Sequence, residues 1–288
     1  MVKENILLGI KAALKVAEVF ENNKVANVLF GFLPLCLHTA IDDDVEFLIP
    51  DAKIADTISA LIKSGYVECT NADCDELSLD HMVTPNIIKY PKHPNPIAHF
   101  HIEKIPFVVA LSRQSTLLPY LSHELNPKRP GPDHPELMLS TDPRLPSFYD
   151  EGPGSSFYGL SGPWYERPPV RVLNASAFTQ ALLMLLMRDF QGSGYDNDRV
   201  IDRFSDTWRR MARLLVGHCT PNLPEKNLPR EFQLSWKYFC REKPREHSEY
   251  VPLLWLRKHF IRIKVFPNDL PEVSVNSFRG SDVIRSYG

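Results

Sequence analysis

Over the first 66 residues the apolar positions change period repeatedly. Ile6, Ile10, Ala13, Leu14, Ala17 and Phe20 recur at helical spacing, which predicts an amphipathic helix over residues 5–20. Val28-Leu29-Phe30 is a short apolar run stopped by Gly31, the pattern of a buried strand and its turn. Val45-Glu46-Phe47-Leu48-Ile49, closed by Pro50, predicts a second strand, and Glu46 interrupts an otherwise apolar run. In a strand Asp44 and Glu46 share one face while Val45 and Phe47 share the other. The helical period then returns: Ile54, Ile58, Leu61 and Ile62 supply a buried stripe, Asp51 a cap and Gly65 a stop.

Residues 67–83 are acidic and without clear period, and Ile97 to Leu111 reads as one or two strands. Residues 84–170 hold 16 of the 25 prolines, so they cannot be long helix or central sheet throughout. Phe148, Tyr149, Phe157, Tyr158, Trp164 and Tyr165 argue against plain disorder there. The region reads as an ordered, irregular insert that either walls a pocket or packs inertly on the surface. Helical patterns follow over 174–190, capped by Asn174 or Ser176, and over 196–217 and 230–243, with a fourth opening near Pro252. Phe260 to Phe266 alternates like a strand, leaving its type unsettled. The fold class is α+β, with an N-terminal α/β region over 1–170 that includes the Pro-rich insert of about 84–170, and a mainly helical region over 171–288.

Composition refines this modestly. Hydrophobic residues make up 43% and charged residues 24%, as in an ordinary globular protein. The net charge of −2 gives no global nucleic-acid signal, but residues from 201 onward carry 16 Lys/Arg against 10 Asp/Glu. That basic third either faces phosphate or RNA or is a solvated helical face. Five scattered cysteines fit reduced thiols in a cytosolic protein better than a disulfide framework. Cys69 and Cys74 read as too isolated from other ligand types to form a zinc site. The longest apolar run, Leu182 to Met187, is far too short to cross a membrane, so a cytoplasmic protein without a membrane partner is expected.

The candidate chemistry centres on the acidic strand. Asp44 and Glu46 repel each other unless a cation sits between them, and such a pair suits Mg²⁺, which takes one or two carboxylates plus substrate phosphates. Gly31, the gap and Asp44-Val45-Glu46 together resemble the nucleotidyltransferase superfamily, whose signature is Gly followed by Gly or Ser, then acid–apolar–acid on a strand. The order of helix, glycine turn, acidic strand and helix is similar as well. The closest likeness is to fungal nucleotidyltransferase-like proteins, which carry something similar to Asp142-Pro143-Arg144-Leu145-Pro146 in a Pro-rich middle. Here Phe32 stands where the family has its second small residue.

The resemblance implies a third acid on a neighbouring strand, for which Glu103 in His99-Phe100-His101-Ile102-Glu103 is the local match. It makes Asp44, Glu46 and Glu103 the metal ligands and places His99 and His101 for proton transfer or phosphate contact. Gly31, Asp42 and Asp43 complete the expected substrate side. Unpaired with Asp44, the His99-x-His101-x-Glu103 strand would be a transition-metal candidate by itself. Arg210 and Arg213, one helical turn apart beside Trp208, either clamp phosphate or cover a helix edge with their stems.

Three functions stay open. The first is a group transferase, Mg²⁺-dependent, moving a nucleotidyl group to a small molecule or RNA. The second is aminoacyl transfer from tRNA, of the cyclodipeptide-forming kind found in fungal secondary metabolism, with the acidic cluster holding a cationic amino acid. The third is a catalytically silent binding module.

Overall fold

The computed structural model describes residues 2–31, 33–37, 45–71, 74, 77, 82–84, 87–88, 95–102, 108–121, 125–145, 164–165, 167–189, 208–209, 211–212, 214–215, 227–240, 250–266 and 270. Helix α1 (Val2–Asn22) leads into β1 (Val28–Phe30), a 3-10 turn (Leu33–Leu37) and β2 (Val45–Ile49). A second 3-10 turn (Asp51–Lys53) opens α2 (Ile54–Lys63). A small hairpin of β3 (Met82–Thr84) and β4 (Ile87–Ile88) comes next, followed by β5 (Ala98–His101), β6 (Val108–Arg113) and the short α3 (Gln114–Leu117). Then come β7 (Leu137–Leu139), β8 (Arg171–Leu173) and the helices α4 (Ala175–Asp189), α5 (Arg230–Phe239) and α6 (Tyr250–Arg262).

Six strands form one mixed sheet in the order β5-β6-β2-β1-β8-β7. The β1–β2, β5–β6 and β7–β8 pairs are antiparallel, while β2–β6 and β1–β8 are parallel. Directly paired residues project to the same side of a sheet, so the register sorts the faces. Leu29, Val45, Phe47, Val109, Leu111, Phe100 and Val172 share one face and join a buried core with Ile10, Ala13, Leu14, Ala17 and Phe20 of α1. The Phe20 and Phe47 rings meet edge to face at 5.1 Å. Full burial of such a side chain stabilises by about 1.5–3 kcal/mol. The opposite face carries Phe30, Glu46, Leu48, Ala110, Ser112, His99 and His101. Both faces of β2 are buried, so its apolar content is nearly continuous.

Three helices end in the same way. At Lys24, Gly65 and Lys264 the backbone turns to positive φ. The following N–H (Val25, Tyr66, Val265) reaches back to Phe20, Leu61 or Phe260. The turn residue itself bonds Glu21, Ile62 or Ile261, giving the paired bonds of a Schellman cap. Gly65 thus stops α2 as its sequence suggests. Lys264 settles Phe260 to Phe266: the chain is helical through Arg262 and then turns, and Phe260 packs on Phe232 at 5.6 Å and on Phe266 at 5.7 Å. Alternation misleads there because Phe260 and Phe266 meet across the cap, not along a strand.

Two other local expectations need correction. Asp51 does not cap α2, whose preceding residues make no side-chain cap bond; its carboxylate instead accepts the Ser115 N–H (3.1 Å) and Oγ–H (2.6 Å) at α3. Ile62 is 49% exposed, and Thr57 and Ala60 take its place beside Ile54 and Leu61. At α4, Asn174 is the cap, its Oδ1 accepting the Ala177 N–H at 2.9 Å.

The chain forms two compact units, Met1–Phe178 and Thr179–Gly288, the division falling within α4. In the second, Trp208 Nε1 donates to Asp189 Oδ2 at 2.7 Å, and buried Arg257 donates to the Met187 carbonyl at 2.8 Å near the end of α4. The described residues from 208 to 215 are helical, within the helix expected over 196–217. No described helix is long and apolar enough to cross a membrane.

Candidate functional site

Glu46 sits at the middle of the sheet's second face. Strand β2 lies between β1 and β6, so Phe30 is its partner on one side and Ala110 on the other. It is 7% exposed, and Oε1 accepts the Ser112 Oγ–H at 2.7 Å. Gly31 ends β1 at φ +82°, and a Cβ built there would meet Glu46 Oε2 at 3.3 Å. The backbone angle there favours glycine, and an added Cβ would also crowd the carboxylate beneath it, which would have to give by a small shift. On β6 the residues sharing this face are Val108, Ala110 and Ser112, so that neighbouring strand brings no acid to Glu46.

His99 pairs with Ala110 and thus lies in the same cross-strand row as Glu46, with β6 between them. Two strand spacings amount to about 10 Å. The condition that would bring Glu103 to the acidic strand, adjacency of the histidine strand to β2, is therefore not met. Glu103 itself lies outside the described residues, as do Asp42, Asp43, Asp44, Phe32, Arg210 and Arg213.

What His99 and His101 do meet is a pair of cysteines. Glu68 bridges antiparallel to Phe100 and the Cys69 N–H bonds the His99 carbonyl at 2.9 Å, so this segment extends the sheet beyond β5. Cys69 then falls opposite His99. Cys74 comes back over the same place, its Sγ 3.5 Å from His101 Nε2. One ligand atom from each of Cys69, Cys74, His99 and His101 lies within 4.8 Å of all the others. Cys74 and His99 are buried, Cys69 is half-buried and His101 is exposed. Neither cysteine is in a disulfide.

This corrects the sequence expectation that Cys69 and Cys74 lack ligand partners. Separation along the chain hid the cluster: Cys69 and Cys74 fall in a stretch of sequence without apolar period, His99-x-His101 is on a strand, and only the edge pairing joins them. The available signal was two pairs of soft ligands, one of them alternating onto a single strand face. The second candidate site, beside Trp208, is not assembled by the described residues, because Arg210 and Arg213 are not among them.

Comparison of the chain with protein-family models, with curated proteins and with solved structures found no match.

Proposed function

We propose that this protein is a group transferase built on a nucleotidyltransferase-like sheet, with the reaction set at the Glu46 face. The observation that carries this is the placement of one carboxylate, Glu46, in the central strand directly under the Gly31 turn. The element order supports it: α1, β1, the Gly31 turn, an antiparallel β2 and then α2 before the parallel β6. Glu46 is a buried acid in an otherwise apolar strand, flanked on its face by Phe30, Leu48 and Ala110, and that placement favours its use in the reaction.

Glu46 offers hard oxygen donors of the kind Mg²⁺ takes, and the ion would neutralise charge on the phosphates of a nucleotide donor. The chain's own part is to hold that carboxylate fixed through Ser112 and to let backbone at Gly31 pass close above it. Calorimetric titration with Mg²⁺ and a nucleoside triphosphate tests this: joint binding in the wild type that is lost in folded E46Q supports it, and no joint binding removes it. Salt-sensitive binding of tRNA instead would move the function to aminoacyl transfer.

One observation favours a second reading, the silent binding module. The β6 residues beside Glu46 are Val108, Ala110 and Ser112, none of them acidic. Glu46 would then be a structural acceptor for Ser112, and E46Q would leave every activity unchanged.

A further inference from the structure

We propose that Cys69, Cys74, His99 and His101 hold one structural Zn²⁺ ion. Four protein ligands converge from two separate segments, with their ligating atoms all within 4.8 Å of one another. A tetrahedron with Zn–S of about 2.3 Å and Zn–N of about 2.0–2.1 Å has an S···N edge of about 3.5 Å. Cys74 Sγ and His101 Nε2 already stand 3.5 Å apart. Two thiolates and two imidazoles are soft to borderline donors, which suit Zn²⁺ and not Mg²⁺. Four protein ligands close the coordination sphere, so the site serves structure and not Lewis-acid catalysis.

The location explains what the ion would do. Residues 67–83 lack the apolar periodicity that would let them pack by themselves. At the sheet edge the segment is tied to β5 by the Glu68–Phe100 bridge and the Cys69–His99 backbone bond. Binding Zn²⁺ to Cys69 and Cys74 on one side and to His99 and His101 on the other clamps the two cysteines onto β5 and reinforces the pairing already made by the Glu68–Phe100 bridge and the Cys69–His99 bond. His99 shares its face and cross-strand row with Glu46, so the clamp also fixes one flank of the carboxylate face. The zinc site stands whether or not Glu46 takes part in group transfer. Metal uptake requires both thiols as thiolates and both imidazoles neutral, so affinity falls as the pH is lowered.

The test uses the full chain purified under reducing conditions without chelator, with metal content measured by plasma mass spectrometry. One Zn²⁺ per chain is expected. The metal-stripped protein should take up Co²⁺ with the intense visible bands of a tetrahedral ion and thiolate-to-cobalt charge transfer. H101Q alters the exposed ligand and C74S a buried one, while C240S changes a cysteine outside the cluster. Loss of a supporting partner alone typically weakens a site about 10–100-fold, so H101Q should weaken Zn²⁺ binding by about 100-fold or more. C240S should leave it unchanged. Circular dichroism of H101Q separates ligand loss from misfolding, and chelation of the wild type gives the same answer without a substitution: Tm should fall and return with Zn²⁺. A weak octahedral Co²⁺ spectrum, undiminished Zn²⁺ affinity in folded H101Q, or a Cys69–Cys74 disulfide in place of metal would overturn the proposal.

Discussion

Ser112 Oγ donates a 2.7 Å hydrogen bond to Glu46 Oε1 diagonally across the parallel β2–β6 ladder, where Glu46 itself is paired with Ala110. Hydrogen bonds to charged groups contribute about 1.5–3 kcal/mol. S112A should therefore lower unfolding stability by about that amount in urea at neutral pH. E46Q, which keeps an amide oxygen as acceptor, should lose less than S112A. Equal stability of S112A and wild type would show that Glu46 does not depend on this bond.

Glycine substitutions separate backbone strain from crowding. Gly65 and Gly31 both have positive φ, but a Cβ at Gly65 meets nothing within 4 Å, whereas one at Gly31 meets the Glu46 carboxylate. G65A should cost about 1–2 kcal/mol from conformation alone. G31A should cost more, because the carboxylate must also shift. Denaturant midpoints of the two variants, with matching slopes, check the order.

The caps at Lys24 and Lys264 run the other way. Both lysines adopt a left-handed angle, φ 55° and 61°, that favours glycine. Replacing exposed Lys24 with Gly removes that strain but adds unfolded-state entropy, leaving a net gain of about 0.5–1 kcal/mol. Thermal unfolding of K24G should show a raised Tm.

The Asp142-Pro143-Arg144 stretch is a self-contained turn. Arg144 bonds Asp142 through Nε at 2.9 Å, Nη2 at 2.7 Å and its own backbone N–H at 2.9 Å. These bonds, the side-chain ones foremost, hold the Asp142 carboxyl below its usual range. A carboxyl depressed in the folded state adds stability above its unfolded pKa, and that stability disappears as pH falls through the folded value. Arg144 is largely exposed, so the contribution is about 0.2–1 kcal/mol. The Tm gap between wild type and R144A should be full near neutral pH and close below about pH 4. A gap that persists in acid would place the effect in packing instead.

Much of the first unit is written in local pattern. α1, β1, the Gly31 turn, β2 and α2 follow from apolar period and punctuation, and Ile97 to Leu111 resolves into β5 and β6. The Asn174 cap and the Gly65 stop are equally local, each set within one helical turn. What the sequence hides depends on distant pairing. Nothing near His99 announces that β6 separates it from β2, because strand order is fixed by the whole sheet. Cys69 and Cys74 lie in an unpatterned segment whose partner is revealed only by the Glu68–Phe100 bridge. Asp51 looks like a helix cap and serves one, but the helix is α3, reached through the β2–β6 pairing.

The most direct test of function at the Glu46 face is untargeted mass spectrometry of cells expressing the wild type or E46Q at matched soluble levels. A group transferase acting there predicts a new mass in the wild-type cells that is absent with E46Q, its composition separating a nucleotidylated compound from an amino-acid-derived one. Identical profiles from the two, with both proteins folded, would contradict catalysis at Glu46.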